Sequence, residues 1–187
     1  LCKQVELAAL NNTPLRPTGG GTKNFYGGPL QGEEVDMRQW AGIVEYEPTE
    51  LVITVKPGTA LAEVEAALAA EKQELAFEPP RLGANGTIGG AIVSGLAGPA
   101  RLSKGGVKDY VLGCTLLDGK GQLLHFGGVV MKNVAGYDVS RLMAGAWGTL
   151  GLLTEVSLKV LPVAPGEATQ RFDDITQANA LRQLHAW

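Results

Sequence analysis

At 187 residues the chain is long enough to bury a real core, either as one large domain or as two small lobes. Hydrophobic residues at 45% and charged residues at 19% describe an ordinary globular protein, and a net charge of -3 without any Lys/Arg run offers nucleic acid no attraction. The longest apolar stretch, Gly89 to Ala97, is Gly-rich and far short of the roughly 18 residues of a membrane span, so no direct membrane span is expected.

Thr13 to Pro17 reads as a short strand entering the Gly-rich loop Thr18 to Thr22. Val35 to Met37 and Ile43 to Tyr46 are short apolar runs, and the β-branched run Leu51 to Val55 is a strong strand. After the Pro57-Gly58 turn, Thr59 is a candidate N-cap for a helix over Ala60 to Lys72. That helix would bury Leu61, Val64, Ala67 and Leu68 and leave Glu63, Glu65 and Glu71 outside. Pro79-Pro80 marks a lobe boundary, with lobes over about 1–78 and 79–163. Beyond it, Thr87 to Ser94 predicts a short helix and Tyr110 to Leu117 a strand. Asp118 to Gly121 predicts a hairpin turn into the strand Gln122 to Phe126. Asp138 to Met143 predicts a helix, and the alternation of Leu150 to Leu161 predicts a long strand. Pro162 to Glu167 reads as a linker into a last helix over Thr176 to Trp187, so residues 164–187 form a linker and the start of a further C-terminal region. The chain starts at Leu1 without an initiator Met or signal-peptide pattern and ends inside an expected helix, so it reads as a piece of something longer.

Glycine is abundant, at 26 residues against a usual share of roughly 7%, and it is clustered rather than periodic. In Arg16-Pro-Thr-Gly-Gly-Gly-Thr22, three bare amides after a strand can converge on an anion, with the Thr18 and Thr22 hydroxyls as further donors. The loop is neither a GxGxxG fingerprint nor a P-loop, and a flexible surface turn explains it equally well. In Asn85 to Gly95, the glycines Gly86, Gly89 and Gly90 surround a helix start flanked by Thr87 and Ser94. Such a start suits a pyrophosphate, although glycines there also serve close packing of helix on sheet. Two such loops together favour a dinucleotide shared between lobes. A third stretch, Val130 to Asp138 continuing to Gly145-Ala-Trp-Gly-Thr-Leu-Gly151, enters a strand whose edge amides can meet an adenine; Tyr137 and Asp138 there also read as a packed aromatic and a helix cap.

The two cysteines, Cys2 and Cys114, are far apart and outside any CxxC motif, which fits reduced thiols in a cytoplasmic setting. No His pair or carboxylate cluster offers a metal site, so none is expected; Asp173-Asp174 reads as a solvated turn. Cys114 reads as core, His125 as structural and His185 as exposed.

The ordered set Arg16 to Thr22, Gly86-Thr-Ile-Gly-Gly90, Lys108-Asp-Tyr-Val-Leu-Gly113, Lys132-Asn-Val-Ala-Gly-Tyr-Asp138 and Gly148-Thr-Leu-Gly151 resembles the FAD-binding domain of the vanillyl-alcohol-oxidase (PCMH-type) family over residues 1–163. The wording from Met131 to Asp138 is most similar to the FAD-binding subunits of bacterial glycolate oxidases. The resemblance implies a two-lobed α+β domain, with a small β-α lobe and a mostly antiparallel sheet flanked by helices, and FAD extended between them. It implies pyrophosphate binding by Pro17, Thr18, Gly19, Gly20, Gly21 and Thr22. Pro79, Gly86, Thr87, Gly89, Gly90 and Ser94 would line the pyrophosphate and flavin side, Gly98 and Val107 the ribityl or ring region, and Gly148 through Leu153 the adenosine end.

Departures from the family pattern fall on side chains: Lys104-Gly105 replaces a Tyr-Gly pair, Lys108 an Arg, and Trp147 a Glu. With no His or Cys in the first loop, non-covalent FAD is implied. The family's substrate face is covered by a further C-terminal domain, and the chain has no cluster that marks catalytic residues. Arg101, Lys104 and Lys132 can attract a carboxylate, though surface solvation explains each as well. The implied activity is oxidation of glycolate or a related 2-hydroxy acid, beside a sister FAD-containing catalytic subunit and an iron–sulfur subunit. The implied location is cytoplasmic, with membrane association through partners. An electron-transfer subunit without its own substrate site, and a flavin-free assembly module, are the alternatives.

Overall fold

The computed structural model describes residues 1–129 and 136–186. The part of the third motif at residues 130–135, including Lys132, and Trp187 lie outside the described residues.

The first element is a helix that no sequence signal announced, α1 (Cys2–Leu10), which buries Val5 and Ala8. β1 (Leu15–Thr18) pairs in parallel with β2 (Glu33–Asp36), Pro17 opposite Val35. A 3-10 turn over Met37–Gln39, capped by the Asp36 carboxylate, leads to β3 (Ile43–Glu47). β4 (Val52–Val55) follows with every residue buried, then α2 (Leu61–Ala70), which buries Leu61, Val64 and Leu68 as its periodicity requires. Thr59 does not cap α2. The helix has Ala60 at its N-cap and no side-chain cap, while the buried Thr59 hydroxyl donates to Lys56 O at 2.7 Å and accepts from Gly42 N–H at 2.8 Å. A partner from the preceding loop outcompetes the local one.

β5 (Gln73–Glu74) precedes α3 (Ile88–Ser94), capped by Thr87, and the short α4 (Arg101–Lys104). β6 (Val111–Leu117) and β7 (Leu123–Gly127) form the expected hairpin, whose turn is held by Asp118 Oδ1 accepting from the amides of Lys120 and Gln122. α5 (Val139–Leu142) starts at Asp138, whose carboxylate accepts from Arg141 N–H. The last strands are β8 (Leu152–Lys159) and β9 (Leu161–Pro162), and the chain closes with the exposed α6 (Gln177–Ala186).

The architecture is α+β. Five strands form one antiparallel sheet in the order β3-β4-β8-β6-β7, and the parallel pair β1-β2 stands apart. The expected boundary at 78/79 is not a division of this sheet, because β3 and β4 from the first stretch pair directly into it. The register explains why: Ile53 faces Leu158 and Val55 faces Val156, which in turn faces Cys114. Together they make one apolar face under α2 and α3, with Phe77, Ile88 and Ile92 fully buried on it. A smaller cluster of Val5, Val35, Met37, Leu117 and Leu152 ties α1 and β2 to the far end of the sheet. This second cluster places the β1 exit beside the entry to β8.

Candidate functional site

β1 delivers Pro17 and Thr18 to the rim of the sheet, and the chain then turns through Gly19 to Gly21. Gly20 lies so close to the second loop that a Cβ would sit 1.5 Å from the Asn85 carbonyl oxygen. Gly148 in turn packs against the Pro17 ring, 2.7 Å from where its own Cβ would stand. Three segments spread over more than a hundred residues of sequence therefore meet at one point. Between them opens a cavity of about 370 Å³, walled by residues 15–24, by Thr87 with Gly89, Gly90 and Val93 of α3, and by Trp147 to Thr149 and Gly151 to Leu153 leading into β8.

The donors are unevenly spent. At α3 the first amides are used within the chain: Ile88 N–H donates to Thr59 O, Gly89 N–H to Pro57 O, and Gly90 N–H to Thr87 Oγ1. A Cβ on Gly89 would stand 2.5 Å from Pro57 Cβ, so this glycine serves close packing, one of the two roles its sequence context allowed. The first loop is the opposite. Among the described residues, the backbone N–H groups of Gly20, Gly21, Thr22 and Lys23 have no partner, nor does the Thr22 hydroxyl.

Charge points the same way. Arg16 and Lys23 line the cavity, and no Asp or Glu among the described residues does. Arg16 Nη2 pairs with Glu34 at 3.2 Å, yet its Nε is buried without a hydrogen-bond partner, a costly arrangement unless something accepts from it. Burial lowers the Lys23 ammonium below its ordinary pKa, so a nearby anion would relieve both groups. In a chain of net charge -3, this is a local positive cradle with open amides. It fits a pyrophosphate.

Of the residues named from the sequence, Pro17, Thr18, Gly19, Gly20, Gly21, Thr22, Thr87, Gly89, Gly90, Gly148 and Leu153 line this cavity. Gly86 lies behind it, its carbonyl accepting from Leu61 N–H at 2.9 Å. Ser94 and Val107 line a second cavity of about 310 Å³, with Arg101, Lys108 and Asp109. Pro79 and Gly98 line neither; Gly98 N–H donates to Phe77 O at 3.0 Å. Lys104 is tied to Glu74 at 2.7 Å, which lifts its pKa above the ordinary value, and it lines neither cavity. Cys114 is core, its thiol pushed up to about 11 by burial. His125 accepts or donates at Nδ1 to Thr115 Oγ1 on the exposed side of β7. Among the described residues no group of three or more His, Cys, Asp or Glu could hold a metal.

The FAD binding domain family matches residues 1–127. The chain belongs to this family. It is similar to glycolate oxidase subunit GlcE of Escherichia coli K12, with 48% identity over 187 residues that span all of this chain and 53% of that protein. It is also 35% identical over 162 residues to glycolate oxidase subunit GlcD of Bacillus subtilis 168, covering 84% of this chain and 34% of that one. The chain thus spans about half the length of the first relative and a third of the second. In fold it resembles alkyldihydroxyacetonephosphate synthase, with a TM-score of 0.70 at 23% identity over 88% of this chain and 30% of that one. As a family member the chain is an FAD-binding domain, and its relatives are FAD-linked oxidoreductases. No helix among the described residues is long and apolar enough to cross a membrane.

The sequence reading missed Tyr26, Met37, Pro57 and Val93 as cavity walls and left Trp147 without a role. The one available signal was the aromatic pair Phe25-Tyr26 directly after a loop of bare glycines.

Proposed function

We propose that the cavity binds FAD non-covalently, with the diphosphate on the first glycine loop. The observation that carries this reading is the run of unpartnered amides from Gly20 to Lys23 beside the orphaned Arg16 Nε. Pro17 to Thr22 and Arg16 would hold the pyrophosphate, and Gly148 to Leu153 the adenosine. Thr87, Gly89 and Gly90 would form the opposite wall. Ser94, Gly98 and Val107, with the second cavity, would mark the flavin end, and Pro79 and Gly86 would support the loops from behind. No His or Cys among the described residues lines the main cavity, which supports dissociable cofactor.

The identity to GlcE supports a finer reading: the chain is the FAD-binding part of a multi-subunit oxidoreductase acting on glycolate or a related 2-hydroxy acid. Its FAD-binding domain would extend over residues 1–163, with 164–187 leading into a further region. Oxidation of the hydroxyl carbon needs a two-electron acceptor, which a bound flavin supplies. It also needs a base and a cation for the carboxylate. Among the described residues the main cavity has no Asp, Glu or His to act as base, and the second offers Arg101 and Lys108 as cations. A partner is therefore part of the proposal: a sister FAD-containing subunit related to GlcD and an iron–sulfur subunit, in a cytoplasmic complex able to sit at a membrane through those partners. The main cavity has no Asp, Glu or His among the described residues, and Asp109 in the second is engaged by Gly106 N–H at 2.9 Å; both favour, as the second reading, an electron-transfer subunit with no substrate site of its own.

The test is an absorption spectrum of the purified chain before and after acid precipitation. Flavin bands that move to the supernatant support dissociable FAD, and bleaching by glycolate but not by a non-hydroxylated acid supports the first reading. A colourless protein that takes up no added FAD refutes both.

A further inference from the structure

We infer that the stacked rings of Tyr26 and Trp147 select the adenine half of the bound nucleotide, so that this pair makes the site prefer a flavin dinucleotide to a flavin mononucleotide. The inference rests on the FAD reading above and names what fixes its specificity.

The two rings come from segments far apart in the sequence. Tyr26 follows the first glycine loop and Trp147 precedes Gly148, yet their centroids are 5.0 Å apart and their planes within 8° of parallel. Both face the cavity. Phe25 adds an edge contact to Tyr26 at 6.4 Å. None of the three belongs to either apolar core, and all stay substantially exposed, from 38% for Trp147 to 71% for Phe25. Aromatic faces held open at a cavity mouth suit a flat ring ligand better than they suit stability.

The backbone of Trp147 strengthens the case. Its φ of +53° lies in the left-handed region, which a bulky side chain rarely adopts. It is pinned there by its own N–H, which donates to Val93 O at 2.9 Å on α3. Strain of this kind persists only where the surroundings over-determine it, and it recurs at ligand clamps. The Tyr26 side is tethered more lightly, by Tyr26 N–H to Lys23 O at 2.9 Å within one turn. A fixed ring and a tethered ring thus make one wall.

The charge layout decides which half of the ligand meets that wall. Arg16, Lys23 and the open amides gather on the first loop, where the phosphates belong. Trp147 sits directly before the Gly148 to Leu153 stretch assigned to the adenosine. A purine beyond the diphosphate can extend the Tyr26–Trp147 stack on its free face, and stacking of a base on an aromatic ring needs no base-specific hydrogen bond. A mononucleotide has no purine and gains nothing there.

The test uses the purified chain stripped of flavin, titrated with FAD, FMN and ADP, and followed by flavin fluorescence and competition. Trp147→Ala and Tyr26→Ala are each expected to weaken FAD and ADP on the order of 10-fold and to leave FMN unchanged. Trp147→Phe, which keeps a stacking face, is expected to hold FAD affinity within about 3-fold of wild type. Near-equal FAD affinity in both alanine variants overturns the inference while leaving the FAD reading intact. Equal losses for FAD and FMN overturn it as well, since they place the rings at the flavin end or in the general fold. A wild-type chain that binds no FAD overturns the underlying reading, and this inference with it.

Discussion

Gly20→Ala tests how the site is assembled, because the collision it creates has no soft side. The added Cβ would stand 1.5 Å from Asn85 O and 2.4 Å from Asn85 C, both backbone atoms. The second loop cannot retreat. Gly86 O is held by Leu61 N–H at 2.9 Å, and Thr87 is flanked by Ile88 N–H donating to Thr59 O at 3.0 Å. The first loop must move instead, carrying the open amides from Gly20 to Lys23 with it. Overpacking of this kind costs about 3 kcal/mol at the upper end of its usual range. For a domain of this size that corresponds to a fall in Tm of roughly 6–12 °C. Thermal unfolding of the flavin-free chain by circular dichroism reads the first effect, and an FAD titration reads the displaced amides. Gly28→Ala is the control, since nothing lies within 4 Å of its Cβ position, and its Tm should stay within about 2 °C of wild type. A Gly20→Ala chain that matches wild type in both Tm and FAD affinity would refute the contact between the loops.

Arg16→Leu removes the buried donor without a partner; FAD affinity should fall roughly 10- to 100-fold, the worth of a charge-assisted bond, in fluorescence titrations, and an unchanged affinity would remove Arg16 from the site. Among the described residues the buried hydroxyls of Thr54 and Ser157 bond only to each other across β4 and β8, at 2.9 Å. Ser157→Ala alone should therefore cost about 1–2 kcal/mol in urea unfolding, whereas the double variant with Thr54→Val should recover part of it; additive losses would argue against the pair. Burial, and next the charge of Asp138, hold the Cys114 thiol up at about 11. Its folded pKa exceeds the unfolded value of about 8.5, so the stability from keeping it neutral is complete below that value and is lost as pH rises through about 11. At pH 8 its thiolate fraction should be roughly 200-fold below that of an ordinary thiol, and a thiol reagent should label the half-buried Cys2 first; equal labelling of both in the folded chain would contradict the burial.

The features that the sequence disclosed are those that close locally or repeat. The turn at Asp118 to Gly121 is settled by one carboxylate and two amides within four residues, and the burial of Leu61, Val64 and Leu68 follows from helical period alone. Non-local competition hid the rest. Thr59 looked like a cap, but Gly42 and Lys56 claim its hydroxyl. Pro79-Pro80 looked like a boundary, yet β4 crosses it to pair with β8. α1 carries apolar residues on more than one side, with Val5 and Ala8 buried but Leu7 and Leu10 exposed, so no single stripe announces it; it gains its burial from Val35, Leu117 and Leu152, none of them near it in sequence.

The glycines show most clearly what composition leaves open. Gly20 and Gly89 each sit in a Gly-rich run, and at both positions a Cβ would strike backbone or a packed ring. Close packing therefore explains the residue type at both, and glycine content alone does not separate a binding loop from a packing contact. The separation comes from where the amides go. Around Gly89 they are spent on Pro57, Thr59 and Thr87, so that turn is finished without a ligand. From Gly20 to Lys23 they are left open, beside a buried guanidinium nitrogen with nothing to donate to. Buried or convergent donors without acceptors are unfavourable in an isolated chain, and an anion is the simplest group that satisfies all of them at once. Because the partners that spend the first set lie some thirty residues upstream, in the turn from Pro57 to Thr59, the difference between the two loops exists only once the chain has folded.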